Sequence, residues 1–367
     1  MVNLRILIMA GGTGGHVFPA LAVAQQLKKE GWAVHWLGTH QGLEAEIIPK
    51  ASIPISYISV TGLRGKNRLT LLLAPFRLLL AFYQALRVIL CVKPSIVLGM
   101  GGFASGPGGI AAWILRCPLV LHEQNAVLGT TNRLLARLAH RVLQAFPNTF
   151  SDKYQPSLTG NPIREELLRL PLPEERFKHR HQGESIRLLV IGGSQGARGL
   201  NELCPEALQL ISQNERPKIW HQAGKGKDSA VEERYRILEI EARVEAFIED
   251  IASAYTWADI VLCRAGALTI SELAAVGIGS ILVPFPFAID DHQMVNGRFL
   301  EEAEAAFLVR EKDLTPQKLA DILVELSKDR SRLLTMAKAA RKVAKVNALA
   351  NVVEVCKQLT SVRGHTT

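Results

Sequence analysis

Residues 6–16 read Ile6-Leu7-Ile8-Met9-Ala10-Gly11-Gly12-Thr13-Gly14-Gly15-His16, a short apolar run that ends in a glycine-rich turn carrying two polar side chains. The plan recurs near mid-chain, where Leu188-Leu189-Val190-Ile191 is followed by Gly192-Gly193-Ser194-Gln195-Gly196. An apolar run without alternation suits a parallel strand buried on both faces, and a glycine turn after it lets the backbone approach a ligand. Where a helix follows, its unpaired amides and partial positive charge point at that ligand, so an anion is the expected guest. Two such turns predict an α/β protein of two similar halves facing one central cleft.

Further apolar runs at 34–37, 55–58, 96–98, 119–121 and 142–143 alternate with helical patterns and predict a doubly wound parallel sheet. The second half repeats the plan, with strands expected near 187–191, 217–221, 244–248, 259–263 and 280–284. Leu158-Thr159-Gly160-Asn161-Pro162 reads as a linker, with a hinge near 160–165, and residues 180–185 read as an exposed polar loop. Residues 331–359 are rich in alanine and lysine at helical spacing.

A chain of 367 residues that is 48% hydrophobic is too long for one ordinary core and can fill two. Cys91, Cys117, Cys204, Cys263 and Cys356 form no C-x-x-C pair, which argues against a disulfide frame or zinc site and favours a reducing cytoplasm. The first apolar run stops at Gly11 rather than at a cleavage-type sequence, unlike a signal peptide. Residues 71–92 are the greasiest stretch, but Pro75, Arg77, Gln84 and Arg87 interrupt them, predicting a poor membrane span. The net charge of +9 suits nucleic acid, an anionic membrane or phosphorylated ligands. No helix-turn-helix, zinc finger or aromatic-rich RNA motif accompanies it, so no nucleic-acid partner is expected.

The first turn is not the dinucleotide pattern G-x-G-x-x-G, because Val17 stands where its last glycine belongs, and no stretch fits G-x-x-x-x-G-K-[ST]. Dehydrogenase and phosphate-loop readings are weakened accordingly. A third glycine-rich run, residues 99–109, follows the strand at 96–98, so it either shares an anion pocket with the first turn or serves close helix packing. His122-Glu123-Gln124-Asn125 directly follows the strand at 119–121; four hydrogen-bonding side chains at a strand's carboxyl end suggest use by a ligand, against a structural histidine. Ile260-Val261-Leu262-Cys263-Arg264-Ala265-Gly266 leads into a helix start at Ala267-Leu268-Thr269-Ile270-Ser271-Glu272. Its first amides can hold a diphosphate while Glu272 accepts from two ribose hydroxyls. The plainer alternative is that Glu272 complements the helix dipole, worth roughly 0.3–1 kcal/mol.

Together, G-G-T-G-G-H (11–16), G-G-F-A-S-G-P-G-G (101–109), H-E-Q-N (122–125), G-N-P-I-R (160–164), G-G-S-Q-G-A-R (192–198), G-A-L-T-I-S-E (266–272) and D-D-H-Q (290–293) span nearly the whole chain. In these seven ordered motifs the chain resembles the bacterial glycosyltransferases that add N-acetylglucosamine to the undecaprenyl-diphosphate-linked muramyl-pentapeptide of peptidoglycan synthesis. The resemblance implies the GT-B architecture: an acceptor- and membrane-facing Rossmann-like domain over 1–161, a UDP-sugar domain over 162–342, and a helix at about 343–367 packing back on the first. It maps the UDP-N-acetylglucosamine contacts onto Thr13, Gly14, Gly15, Asn125, Arg164, Ser194, Ile248, Ala267, Leu268, Thr269, Ile270, Ser271, Glu272 and Gln293. Ile248 would meet uracil through its backbone.

The implied reaction is inverting transfer to the 4-hydroxyl of muramic acid, with no cofactor and, in the absence of a D-x-D motif, no metal. His16 is the expected general base, since an imidazole of unperturbed pKa near 6.5 accepts a proton near neutrality; Glu123 is the rival. A lipid-linked acceptor implies peripheral attachment at the cytoplasmic face of the bacterial inner membrane. Leu72, Leu73, Phe76, Leu79, Leu80 and Tyr83 would then form an apolar face, with Lys66, Arg68, Arg77 and Arg87 near anionic headgroups, against an ordinary buried helix. Other peptidoglycan-synthesis proteins are candidate partners. The competing activities are a UDP-N-acetylglucosamine 2-epimerase and a non-catalytic UDP-sugar sensor.

Overall fold

The computed structural model describes residues 4–60, 73–178, 180, 183–193, 195–287 and 291–361. Lys66, Arg68, Leu72, Ser194 and Asp290 lie outside them. The chain forms two compact units, residues 1–164 with 346–367, and residues 165–345.

Unit 1 is built on seven parallel strands: β1 (Arg5–Met9), β2 (Ala33–Gly38), β3 (Ile55–Tyr57), β4 (Ile96–Gly99), β5 (Leu119–Glu123), β6 (Arg141–Gln144) and β7 (Ser157–Leu158). Their order is β3-β2-β1-β4-β5-β6-β7, so the direction of winding reverses between β1 and β4. The apolar run of β1 serves two cores, because successive strand residues point to opposite faces. Ile6 and Ile8 pack under the helix Gly14–Lys29 and the C-terminal helix Ala348–Ser361, through Val17, Val23, Val352 and Cys356. Leu7 and Met9 pack under the helices Ala74–Val92 and Ser105–Ile114, through Ala81, Ala85, Ile89 and Ala111.

Unit 2 repeats the plan with β8 (Arg187–Ile191), β9 (Lys218–Gln222), β10 (Ala242–Glu245), β11 (Ile260–Cys263), β12 (Gly279–Leu282) and β13 (Ala306–Leu308), ordered β10-β9-β8-β11-β12-β13. All pairings are parallel, and winding reverses between β8 and β11. The sequence pattern did not reveal the edge strands β7 and β13; runs of two and three residues carry too few apolar positions.

Three expectations need correction. The unit boundary at 164/165 falls within the hinge expected near 160–165, but residues 159–163 of the expected linker are themselves buried in unit 1: Gly160 carbonyl accepts from His122 Nε2 at 2.9 Å, and Asn161 Nδ2 donates to Gln124 carbonyl at 3.0 Å. Arg180 is not a loop residue in solvent, because its guanidinium pairs at 2.8 Å with buried Asp259 and donates to Trp257 carbonyl at 2.8 Å. Pro75 does not interrupt the helix Ala74–Val92; it occupies the first turn, where no intrahelical donor is lost. That helix is long and apolar enough to cross a membrane by length and composition, yet its alanine-rich side is packed into unit 1.

Candidate functional site

In unit 1 the turns after β1 and β4 meet at the winding reversal. Gly102, at φ +84°, lies so close to Gly11 that an added Cβ would sit 2.4 Å from the Gly11 carbonyl oxygen. Only a glycine permits that approach. Behind the first turn, the buried Glu44 carboxylate accepts from Gly12 N at 2.9 Å, from Thr39 N at 2.8 Å and from Thr39 Oγ1 at 2.8 Å. Gly12's amide is thereby committed, and Thr13 caps the helix that Gly14 and Gly15 begin.

His16, in that helix's first turn, brings its ring against the second loop: a Cβ on Gly101 would lie 2.8 Å from Nδ1. Nδ1 is 2.9 Å from Gln124 Oε1, across from the end of β5. Thus the first turn, the third glycine run and the H-E-Q-N cluster are one assembly. Within it Glu123 is 2% exposed and accepts from Asn125 N at 3.1 Å, Gly129 N at 3.1 Å and Asn132 Nδ2 at 2.9 Å. That geometry makes Glu123 the organiser of the 125–129 loop and the helix Thr130–Leu135 that follows it, and weakens its claim as base. Asn125 Nδ2 also reaches Glu123, at 3.3 Å. His122 is fully buried, and burial pushes its pKa down to about 4. Arg164, the last residue before the unit boundary, places its guanidinium 5.7 Å from the Phe18 ring centroid, a cation–π contact within unit 1.

In unit 2 the corresponding turns follow β8 and β11. The helix Ala267–Val276 starts shortly after β11, capped by extended Gly266, and Ile270 N reaches back 2.9 Å to Gly266 carbonyl. Its first-turn amides, Leu268 and Thr269 among them, head the helix as a diphosphate cradle requires. Ser271 Oγ donates to Ala267 carbonyl at 2.9 Å, and Glu272 accepts from Tyr255 Oη at 3.3 Å. Gly196, at φ +68°, abuts the backbone after β9: an added Cβ would clash with Ala223 carbonyl.

Gln222, at the carboxyl end of β9, ties this region together by donating to Gly193 carbonyl at 2.9 Å and accepting from Ile248 N at 3.1 Å. Ile248's amide is therefore committed within unit 2. Gln293 accepts from Phe285 N at 2.9 Å. Arg264, just past β11, ion-pairs with Glu311 and donates to Val283 carbonyl at 3.2 Å. Sequence reasoning missed Glu44, Gln222 and Arg264 as supports. For Gln222 the signal was present: a polar residue at the carboxyl end of an apolar strand, as in H-E-Q-N.

Thr13, Gly14, Gly15, His16, Asn125 and Arg164 therefore belong to unit 1, and Ile248, Ala267 to Glu272 and Gln293 to unit 2. No group of three or more metal-ligating side chains occurs among the described residues. Away from the strand carboxyl ends, a concavity of about 780 Å³ at the start of β6 and β7 is lined by Arg137, His140, Arg141 and Lys153, and accounts for part of the positive charge. On the helix Ala74–Val92, Leu73, Phe76, Leu79, Leu80 and Tyr83 are exposed. Trp113 and Ile114 of the neighbouring helix are exposed as well.

Two doubly wound sheets, each with glycine turns at its winding reversal and one with a diphosphate-ready helix start, define the class of nucleotide-sugar glycosyltransferases. The chain belongs to glycosyltransferase family 28: the family's N-terminal domain model matches residues 6–144 and its C-terminal domain model residues 187–353. A protein of Nitrosococcus oceani named UDP-N-acetylglucosamine--N-acetylmuramyl-(pentapeptide) pyrophosphoryl-undecaprenol N-acetylglucosamine transferase is 53% identical over 358 residues, 98% of this chain and 99% of its own. Its namesake from Marinobacter nauticus is 52% identical and covers 96% of each chain. The crystal structure of Acinetobacter baumannii MurG superposes with a TM-score of 0.85 at 38% identity, covering 97% of this chain and 99% of its own. The calicheamicin glycosyltransferase CalG4, at 15% identity and TM-score 0.68, shares the fold.

Proposed function

We propose that this chain transfers N-acetylglucosamine from UDP-N-acetylglucosamine, with inversion, to the 4-hydroxyl of muramic acid on an undecaprenyl-diphosphate-linked muramyl-pentapeptide. Relatives carrying that activity in their names match over nearly the full chain, which supports this reading over a 2-epimerase or a sensor. The structural observation that carries it is that unit 2 holds a helix start for a diphosphate, with Glu272 one turn in, while unit 1 holds a glycine turn bearing His16.

In this reading unit 2 holds the donor. The Ala267–Val276 helix start and the Ser194 turn stabilise the charge that grows on the β-phosphate as the C1–O bond breaks, Glu272 accepts from the ribose hydroxyls, and Ile248 carbonyl accepts from uracil. Gln293 in unit 2 adds a further donor contact, and Thr13, Asn125 and Arg164 are the unit 1 residues that the family resemblance assigns to the donor. Unit 1 delivers the acceptor, and His16 takes the proton of the attacking 4-hydroxyl as the new bond to C1 forms. The leaving diphosphate is carried by amides, without a divalent cation. The exposed apolar face at 73–83, flanked by Arg77 and Arg87, rests peripherally on the cytoplasmic leaflet where the lipid-linked acceptor lies.

The decisive experiment is transfer of labelled N-acetylglucosamine by the purified protein onto a lipid-linked muramyl acceptor in the presence of excess chelator. Product is expected only when donor and acceptor are both present. Formation of UDP-N-acetylmannosamine from donor alone would establish the epimerase instead, and chelator-abolished transfer restored by magnesium would overturn the metal-free route.

A further inference from the structure

Unit 1 contains a chain of hydrogen bonds that starts at a backbone carbonyl and ends on the His16 ring. Its polarity can be read from the fixed end. Gly160 carbonyl can only accept, so His122 Nε2, 2.9 Å away, carries a hydrogen. His122 is 0% exposed and its burial favours the neutral ring, so Nδ1 keeps its lone pair. The Gln124 side-chain atom that lies 3.1 Å from this Nδ1 and 3.3 Å from the His122 carbonyl faces two acceptors, and must be the amide NH2. That fixes Gln124 Oε1 toward His16 Nδ1 at 2.9 Å, and an amide oxygen accepts. His16 Nδ1 therefore carries a hydrogen, and the lone pair of the neutral ring sits on Nε2.

The geometry points to Gln124 and His122 as positioning residues that hold His16 in its Nδ1–H tautomer and present Nε2 to the acceptor hydroxyl. Neither touches the reacting atoms. The hydrogen bond at one ring nitrogen sets the chemistry of the other, and here it is set from deep in the unit. Gln124 is 1% exposed and cannot rotate to suit a different tautomer: its reversal would turn the oxygen against two acceptors. Its own carbonyl is pinned by Asn161, which is why the buried segment at 159–163 matters to the site. This inference rests on the reading of His16 as general base.

The test uses full-length protein labelled with nitrogen-15 at histidine, with the His16 ring signals assigned by their loss in His16→Ala. Long-range proton–nitrogen correlations at mildly alkaline pH are expected to show the neutral Nδ1–H form in the wild type. In Gln124→Met, close in size but without either polar atom, His16 is expected to lose that preference. Its kcat should fall roughly tenfold to hundredfold with donor KM unchanged, short of the roughly 10²–10⁴-fold contribution of a general base itself. A wild-type His16 in the Nε2–H form, or a Gln124→Met protein that keeps both tautomer and kcat, would overturn the proposal. If Gln124→Met fails to fold, the wild-type spectrum alone still decides. An unchanged kcat in His16→Ala would sink the base assignment, while the wild-type tautomer would still report on the lock.

Discussion

Glu123 and Gln124 are neighbours in the chain and serve opposite ends. Alternation along and just past β5 sends the Glu123 carboxylate against the segment 125–132, where three of its donors lie within 3.1 Å, whereas Gln124 reaches the first glycine turn. A carboxylate so occupied is poorly placed to collect a substrate proton, and its loss takes the acceptor from the buried Asn132 amide and from two backbone N–H groups. His16→Ala is expected to lower kcat roughly 10²–10⁴-fold while leaving UDP binding, measured by calorimetry, in place. Glu123→Gln is expected to act through folding: it should lower the denaturation midpoint, with the residual activity tracking the folded fraction. A fully folded Glu123→Gln protein with no turnover, beside an active His16→Ala, would reverse the assignment. The sequence marked the H-E-Q-N cluster as functional, but not which member does what, because that depends on partners up to 108 residues away.

At the scale of elements, the helix Ala74–Val92 shows how one stretch satisfies two readings. Ala81, Ala85 and Ile89 turn into the core against the helix Ser105–Ile114, while Phe76 at 71% and Leu79 at 66% exposure stand out on the other side. An exposed apolar surface of this kind is a liability unless something covers it. Phe82 faces inward, so the informative variant is Phe76→Glu with Leu79→Glu. It is expected to fold and to lose flotation with anionic liposomes; equal binding by the two proteins would refute membrane seating through this face. Elsewhere a single buried carboxylate joins elements distant in sequence. Asp259, just before β11, pairs with Arg180, accepts from Arg187 N at 3.0 Å and lies 3.8 Å from Arg330. Asp259→Ala strands two mostly buried guanidiniums and is expected to cost about 3 kcal/mol or more in urea unfolding. A loss below about 1 kcal/mol would show that water relieves them.

Across the whole molecule, buried histidines couple stability to pH. His122 and His221 are held neutral by burial, with pKa values pushed down to about 4 and about 3 from 6.5. The unfolded chain therefore binds more protons below pH 6.5, and stability should fall as pH drops from there, the His122 contribution levelling below about 4 and that of His221 below about 3. The urea midpoint is expected to be lower at about pH 5 than at about pH 7.5; a flat or rising midpoint would contradict it. What the sequence by itself determined was the repeated α/β plan and where its turns fall, because an unbroken apolar run such as 6–10 suits a strand covered on both faces, and the glycines directly after it allow the backbone to turn sharply there. Tertiary structure alone decided that residues 159–163, just before the unit boundary, are buried support for unit 1, that Pro75 starts a helix rather than breaking one, and that Gln124 faces His16. Those outcomes hinge on hydrogen bonds and packing between segments far apart in the chain, and local patterns of hydrophobicity carry no record of which partner a buried polar group will find.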